Sequence, residues 1–227
     1  MEGIIKKKPV RILLCITLFL IQFIFVLVYY RLKRAGGTLY SMSYYLKYPK
    51  EMTIQCIVAN LPIILFYVIF KLMLRDKMSK VMHFRIYNRK ISVYPVIIFG
   101  IVYLLSLFFM LRQSIYTKLV VFQWVYYLLL VALPEEFLFR SLMPAILGED
   151  CNPYLRIALP AVLFSLSHMM TLFVGGITLE LVRTFFLRSF MGLVIFGLMM
   201  DYTKRLTGNI WTAVFLHAVY DFMFDYF

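Results

Sequence analysis

Charge is what this chain has least of. Charged side chains make up 15% of its 227 residues, against about 25% in ordinary globular proteins. Hydrophobic residues fill 63%, where about 45–50% is usual. A soluble fold of this length lacks the interior volume to hide so much apolar surface, so a soluble domain is excluded. Cysteine is also scarce. Cys15, Cys56 and Cys151 are odd in number, two of them sit inside apolar runs, and no CxxC spacing occurs, so neither a disulfide framework nor a zinc ribbon is implied. Acids are nearly missing from the first half. Residues 1–118 hold three (Glu2, Glu51 and Asp76) beside 18 of the 24 Lys and Arg, whereas residues 119–227 hold eight acids beside six basic residues. Internal repeats, low-complexity tracts and soluble-domain linkers are absent too. The net charge of +13 lies in short stretches between apolar runs. That placement suits anionic lipid headgroups and topology control, and nucleic acid is not expected as a partner.

What the chain does have is long apolar runs. Ile12–Tyr30, Met52–Phe70 and Ile91–Leu111 are each long enough to cross a hydrocarbon core about 30 Å thick. Lys6-Lys7-Lys8 before the first run resembles a signal peptide, but no small-residue cleavage site follows, so the run reads as an uncleaved span. A fourth run starts near Leu119, passes through Pro134-Glu135-Glu136 and continues helix-like to Leu147. The break Gly148-Glu149-Asp150-Cys151-Asn152-Pro153 precedes a fifth, Ile157–Val174, ended by Gly175-Gly176. A sixth, about Glu180–Asp201, carries Arg183 and Arg188 in its first half. Thr207-Gly208-Asn209 leads into a seventh, about Ile210–Phe224. The expected fold is all-α, a polytopic transmembrane bundle of about seven spans, with six the alternative. With the N-terminus inside, fourteen Lys and Arg (Lys204 and Arg205 among them) fall on the inner side and seven on the outer. That bias predicts a cytoplasmic N-terminus in a multi-pass protein of the plasma membrane.

The informative residues are those a span should not contain. An ionisable side chain near the bilayer centre costs roughly 2.5–3.5 kcal/mol on insertion scales, so it needs a partner or a use. Glu135, Glu136, Arg140, His168, His217 and Asp221 are such residues. The third histidine, His83, sits in the basic loop. Glu136 and Arg140 are four apart, one above the other on a helix, and form a natural ion pair. Glu135, rotated about 100° from Glu136, is the carboxylate left free. Two acids after a proline also make an ordinary helix start. His217 and Asp221 share one face in the same way and can hydrogen-bond, which is equally what a structural pair between helices would do. Depth links these features. At 1.5 Å per residue, Glu135 falls about 6 Å from the inner end of its helix, His168 about 17 Å in and His217 about 14 Å in. Three polar features in the inner-to-middle zone suggest one buried site of carboxylate and imidazole.

With those residues in place, the sequence resembles the CPBP family of intramembrane proteases, also called the CAAX protease and bacteriocin-processing, or Abi, family. Its pattern EExxxR, FxxxH and HxxxN or HxxxD reads here as Glu135-Glu136-xxx-Arg140, Phe164-xxx-His168 and His217-xxx-Asp221. The stretch from Phe190-Met-Gly192 through Gly208-Asn209-Ile-Trp211 to His217 also looks like the family's link. The likeness covers roughly residues 119–224, so 119–227 is expected to be the catalytic core. Residues 1–118 are expected to be N-terminal transmembrane helices with basic loops. The resemblance implies a glutamate-dependent endopeptidase needing no metal or other cofactor. In it Glu135 would be general base, His168 would hold water and shuttle the proton, and His217 would stabilise the oxyanion. Glu136 and Arg140 would form a supporting ion pair, with Phe164 beside them. Asp221 stands where asparagine also occurs, and as an ionised acid it would orient or charge His217.

Other chemistries have less support. One Glu, two His and one Asp could ligate zinc, yet HExxH is absent. Asp221 has no facing partner in a GxGD setting, and neither GxSxG nor a rhomboid-like Gly-x-Ser-Gly occurs. From another class, the bundle could act as a non-catalytic membrane partner, such as a bacteriocin immunity protein or a sensor-kinase regulator. The expected partners are membrane lipids and a membrane-associated peptide or protein substrate, with a sensor kinase or bacteriocin system as a possible setting. The aromatic groups at Tyr29-Tyr30, Tyr44-Tyr45, Trp124, Tyr126-Tyr127 and Trp211 read as interfacial belts and lipid-facing packing.

Overall fold

The computed structural model describes residues 8–35, 49–74, 89–113, 117–170 and 178–224, and every regular element among them is a helix. A bilayer offers no water to the backbone, so each segment must satisfy its own N–H and C=O groups, and the helix does this within one chain segment. The first four helices are α1 (Lys8–Ala35), α2 (Pro49–Ala59), α3 (Leu61–Leu74) and α4 (Arg89–Gln113). They are followed by α5 (117–147), α6 (Pro153–Ser167), α7 (179–207) and α8 (Ile210–Phe224).

Lys8–Leu32, Val93–Arg112, Lys118–Leu147 and Leu179–Thr207 are each long and apolar enough to cross a membrane. Lys50–Ala59 and Leu61–Ile69 are bent by 42° at Asn60 and form a fifth span if taken together. α6 and α8 are shorter apolar helices. The chain is therefore an all-helical integral membrane protein. Arg183 and Arg188 do not break the sixth run, because both side chains lie exposed on the outside of a continuous α7. His83, Tyr44-Tyr45, Gly175-Gly176 and most of the basic loop lie outside the described residues.

Two features of α5 were not anticipated. It contains π-helical stretches at Tyr127–Ala132 and Phe137–Leu142, each just before a proline (Pro134 and Pro144). Such wide turns interrupt the regular α-helical ladder ahead of each proline, and they are frequent at functional sites. The helix ends where the sequence says it should. Gly148 takes φ 79°, a conformation glycine adopts without a Cβ penalty. Asn152 then caps α6, its side-chain oxygen accepting from the Tyr154 N–H at 2.9 Å, with Pro153 in the first helical position. Arg11 of α1 ties down this turn. Its Nη1 donates to the Leu147 carbonyl at 2.9 Å and pairs with Asp150.

α8 is the central strut, packed against α4, α5 and α7. Ala213, Val214, Ala218 and Phe222 along it are fully buried. α6 lies along α7, and their approach is close at Gly197. A Cβ there would meet the Ala161 Cα at 3.3 Å and an Arg140 nitrogen at 3.2 Å, a small-residue contact typical of membrane helix pairs. α1 packs on the end of α5 and on α6.

Packing corrects two expectations. Lys204 is not a loop charge, since it is buried on α7 together with Asp201. The aromatic groups are only partly belts. Tyr103 of α4 and Trp124 of α5 stack with ring centroids 4.5 Å apart. The Trp124 Nε1 donates to the Tyr103 carbonyl at 2.9 Å. Tyr127 is buried and Trp211 packs on the core, because α4, α5 and α8 present these rings to one another.

Candidate active site

Three helices bring the polar residues together. α5 supplies Glu135, Glu136 and Arg140 from the turn after Pro134 and the π-helical stretch that follows. α6 supplies Phe164 and, at its C-terminal cap, His168. α8 supplies His217 and Asp221 from one face.

His217 is the junction. Its Nδ1 lies 2.8 Å from Glu136 Oε1. A carboxylate only accepts, so Nδ1 donates and the other ring edge faces the remaining acids. On that edge Nε2 is 3.3 Å from Asp221 Oδ2 and 3.9 Å from Glu135 Oε2. The sequence reading paired Glu136 with Arg140 and His217 with Asp221. The structure places both contacts and adds a bridge between them, since Glu136 also approaches Arg140 Nε at 3.4 Å through its second oxygen. Glu136 and Arg140 have side chains 0% and 1% exposed, whereas Glu135 retains 28% and Asp221 22%. The two adjacent glutamates are thus unlike. One is sealed between two donors. The other keeps part of its side chain exposed, although its Oε2 is buried, and among the described residues neither glutamate's Oε2 has a hydrogen-bond partner.

Phe164 is the apolar hub. Fully buried, it lies with its ring centroid 4.2 Å from the Arg140 guanidinium carbon, a desolvated cation–π contact of a kind worth about 2 kcal/mol. Its ring also meets His168 at 4.7 Å and His217 at 5.9 Å, both edge-on. Phe196 of α7 closes the other side of His217 at 5.1 Å. His168 is therefore joined to the cluster through Phe164, and it lies within electrostatic reach of Glu135. Its Nδ1 is 3.0 Å from the Phe164 carbonyl. A carbonyl can only accept, so Nδ1 carries the proton and Nε2 is the basic nitrogen.

Four contributors escaped sequence reasoning. Lys204 Nζ donates to the Arg140 carbonyl. Asn60 Nδ2 and Cys56 Sγ reach the Leu130 carbonyl at 2.9 and 3.1 Å. Phe196 walls His217. A lysine and an asparagine within otherwise apolar helices were signals that could have been followed. The Pro134 side of α5 also borders an apolar cavity of about 350 Å³, lined by Asn60, Ile63, Tyr67, Pro134, Phe137 and Trp211.

Among the described residues, no group of three His, Cys, Asp or Glu side chains is arranged to hold a metal ion.

Residues 117–223 match the family described as type II CAAX prenyl endopeptidase Rce1-like. No curated protein and no solved structure gives a significant match. The matched segment runs from the start of α5 to the last turns of α8 and contains all three motifs with every side chain of the cluster around His217. Through this segment the chain is similar to the CAAX protease family of membrane proteases.

Proposed function

We propose that the protein is a glutamate-type intramembrane endopeptidase, independent of metal, acting on a membrane-associated peptide or protein. One observation carries the reading: a partly exposed carboxylate, Glu135, stands 3.9 Å from the Nε2 of a buried histidine whose far nitrogen is already held by a second glutamate. That is the division of labour a general base needs. Glu136 is hydrogen-bonded to His217 and ion-paired with Arg140, so it is a poor base, while Glu135 has no cationic partner on its own helix and keeps 28% of its side chain exposed, where water can reach it. In this reading Glu135 takes a proton from water as the oxygen attacks the scissile carbonyl. His217, its ring oriented by Glu136 at Nδ1, turns its Nε2 proton from Asp221 to the oxyanion as that charge develops. The proton on Glu135 then passes to the leaving amine with the help of His168 Nε2. Phe164 and Arg140 fix the relative placement of the two imidazoles and α5.

A helical substrate must unwind locally, because its carbonyls are otherwise internally bonded. The family description names a prenyl CAAX endopeptidase, and the apolar cavity on the Pro134 side of α5 would suit a hydrocarbon substituent of that kind. We read residues 119–227 as the catalytic core, and the N-terminus as cytoplasmic in the plasma membrane. Taking buried Lys204 out of the inner fourteen leaves thirteen basic residues against seven, so the bias persists.

The test is cleavage of an internally quenched prenylated CAAX peptide by purified protein in proteoliposomes. Wild type should cleave it with EDTA or phenanthroline present, and Glu135→Gln should not. Full activity in Glu135→Gln, or loss on chelation alone, would overturn the reading. Inactivity of both proteins alongside intact complementation by Glu135→Gln in cells would point to a binding role.

A further inference from the structure

Pro134 and Pro144 bracket the segment that carries Glu135, Glu136 and Arg140. In an α-helix each N–H donates to the carbonyl four residues back. Proline has no N–H, so Pro134 withholds that bond from Leu130 and Pro144 withholds it from Arg140. In hydrocarbon a backbone acceptor left without a donor is costly, and neighbouring side chains are the available remedy. Both of these carbonyls receive side-chain donors from other helices, as do those of Trp124, Met143 and Leu147 elsewhere along α5. The Leu130 carbonyl accepts from Asn60 Nδ2 at 2.9 Å and from Cys56 Sγ at 3.1 Å. The Arg140 carbonyl accepts from Lys204 Nζ.

We propose that Asn60 and Lys204 are positioning residues, which supply the two hydrogen bonds that Pro134 and Pro144 remove and so hold the rotational phase of the Glu135–Arg140 segment. Several observations bear on this. The asparagine amide is oriented as a donor throughout, since its Nδ2 also meets the Cys56 carbonyl at 3.0 Å. Lys204 is 6% exposed inside an apolar helix, a placement that is unfavourable without a fixed acceptor. An ammonium on a carbonyl is charge-assisted and stronger than the amide bond it replaces. Both π-helical stretches end just before the prolines, so the backbone there is not held by a regular α-helical ladder. External donors are then what select one phase over its neighbours. Asn60 lies in the half of the chain that carries no motif, and this contact gives that half a direct hold on α5.

The hydrogen-bond claim stands by itself, and its bearing on catalysis rests on the peptidase reading above. It is tested by restoring the missing N–H. Lys204→Met should lower the melting temperature in detergent by about 3–8 °C, and Lys204→Arg, which keeps a donor, should recover most of that. In a Pro144→Ala background the Lys204→Met loss should shrink to less than half, because the backbone N–H restored by that substitution donates to the Arg140 carbonyl. The pair Asn60→Leu and Pro134→Ala should behave in the same way. For cleavage of the prenylated peptide, Lys204→Met and Asn60→Leu should each lower kcat about ten- to a hundred-fold with little change in KM. The Pro144→Ala/Lys204→Met protein should regain much of that kcat. Equal melting losses in the proline and alanine backgrounds overturn the proposal. If Lys204→Met does not accumulate, recovery of folded protein in the double variant is the same test, and its absence overturns the proposal too. Coupled melting with no cleavage by any variant, wild type included, defeats the peptidase reading and leaves this one standing.

Discussion

The two halves of the chain share a solvent and differ in what they bury. In the first 118 residues, the buried polar side chains among the described residues are Gln22, Gln55 and Ser106, all neutral. In the second half they include Glu136, Arg140, Asp201, Lys204 and His217, all ionisable. Yet the first half carries most of the chain's charge, 18 of 24 basic residues. Charge in that half is kept to the ends of its apolar runs, and helices are joined by single amide or hydroxyl bonds such as Gln22 Nε2 to the Ala59 carbonyl at 3.0 Å. In the second half, charge is taken into the bundle and matched there. A neutral hydrogen bond between membrane helices contributes modestly, about 0.6 kcal/mol on average. A charge at depth costs several times that unless it is matched. Buried ions therefore mark the half where the fold does something besides cohere.

That contrast can be broken at several points. The largest effect should come from Glu135→Gln, which removes the proposed base while keeping the side chain's shape. Peptide cleavage should fall at least about 10²–10⁴-fold, with melting temperature nearly unchanged. Arg140→Met should do the opposite. It strands Glu136 at 0% exposure, and breaking a buried pair costs about 3–5 kcal/mol, read as a large melting loss or failure to accumulate. Replacing both members, Glu136→Leu with Arg140→Met, should be better folded than Arg140→Met alone yet still inactive, because His217 loses its Nδ1 acceptor. Gln22→Leu, the first-half counterpart, should cost about 0.6 kcal/mol in melting experiments and leave kcat untouched. A loss as large as that of Arg140→Met would erase the distinction between the halves.

The smallest effect belongs to the turn after α5. Arg11 beside Asp150 holds that carboxyl below the ordinary carboxylate value. A depressed folded-state value means the stabilisation is present above the unfolded value of about 3.9 and is lost as pH falls through the folded one. Asp150 is solvent-exposed, so the effect is slight. Asp150→Asn should flatten only the acid end of the melting-temperature profile, below about pH 4.

Much of the arrangement was legible in the residues themselves. Apolar runs located the helices, Gly148 and Asn152-Pro153 marked the turn between α5 and α6, and the four-residue spacings placed Glu136 over Arg140 and His217 over Asp221. Less legible was which partner each group would choose. The spacing argument gave Glu136 one partner, and it has two, because α8 enters beside α5 with His217 at the same level. Phe164 was visible only as a motif letter, although its ring joins Arg140, His168 and His217. Lys204 read as a loop charge because it follows Asp201 near the end of an apolar run, and the sequence has no way to say that a neighbouring helix will offer it a carbonyl.

What the sequence determined by itself is what depends on periodicity and solvent: that these segments are helices, that they belong in a membrane, and that a few ionisable groups were taken in against the cost of burial. Those properties follow from the local chain and from the absence of water around it. The tertiary structure decided which of two adjacent glutamates would be sealed and which would stay partly exposed. It also decided that two carbonyls deprived by proline would be served from α2–α3 and α7. Such choices depend on distances between helices far apart in sequence. They are made when side chains compete for the few donors and acceptors a dry interior provides.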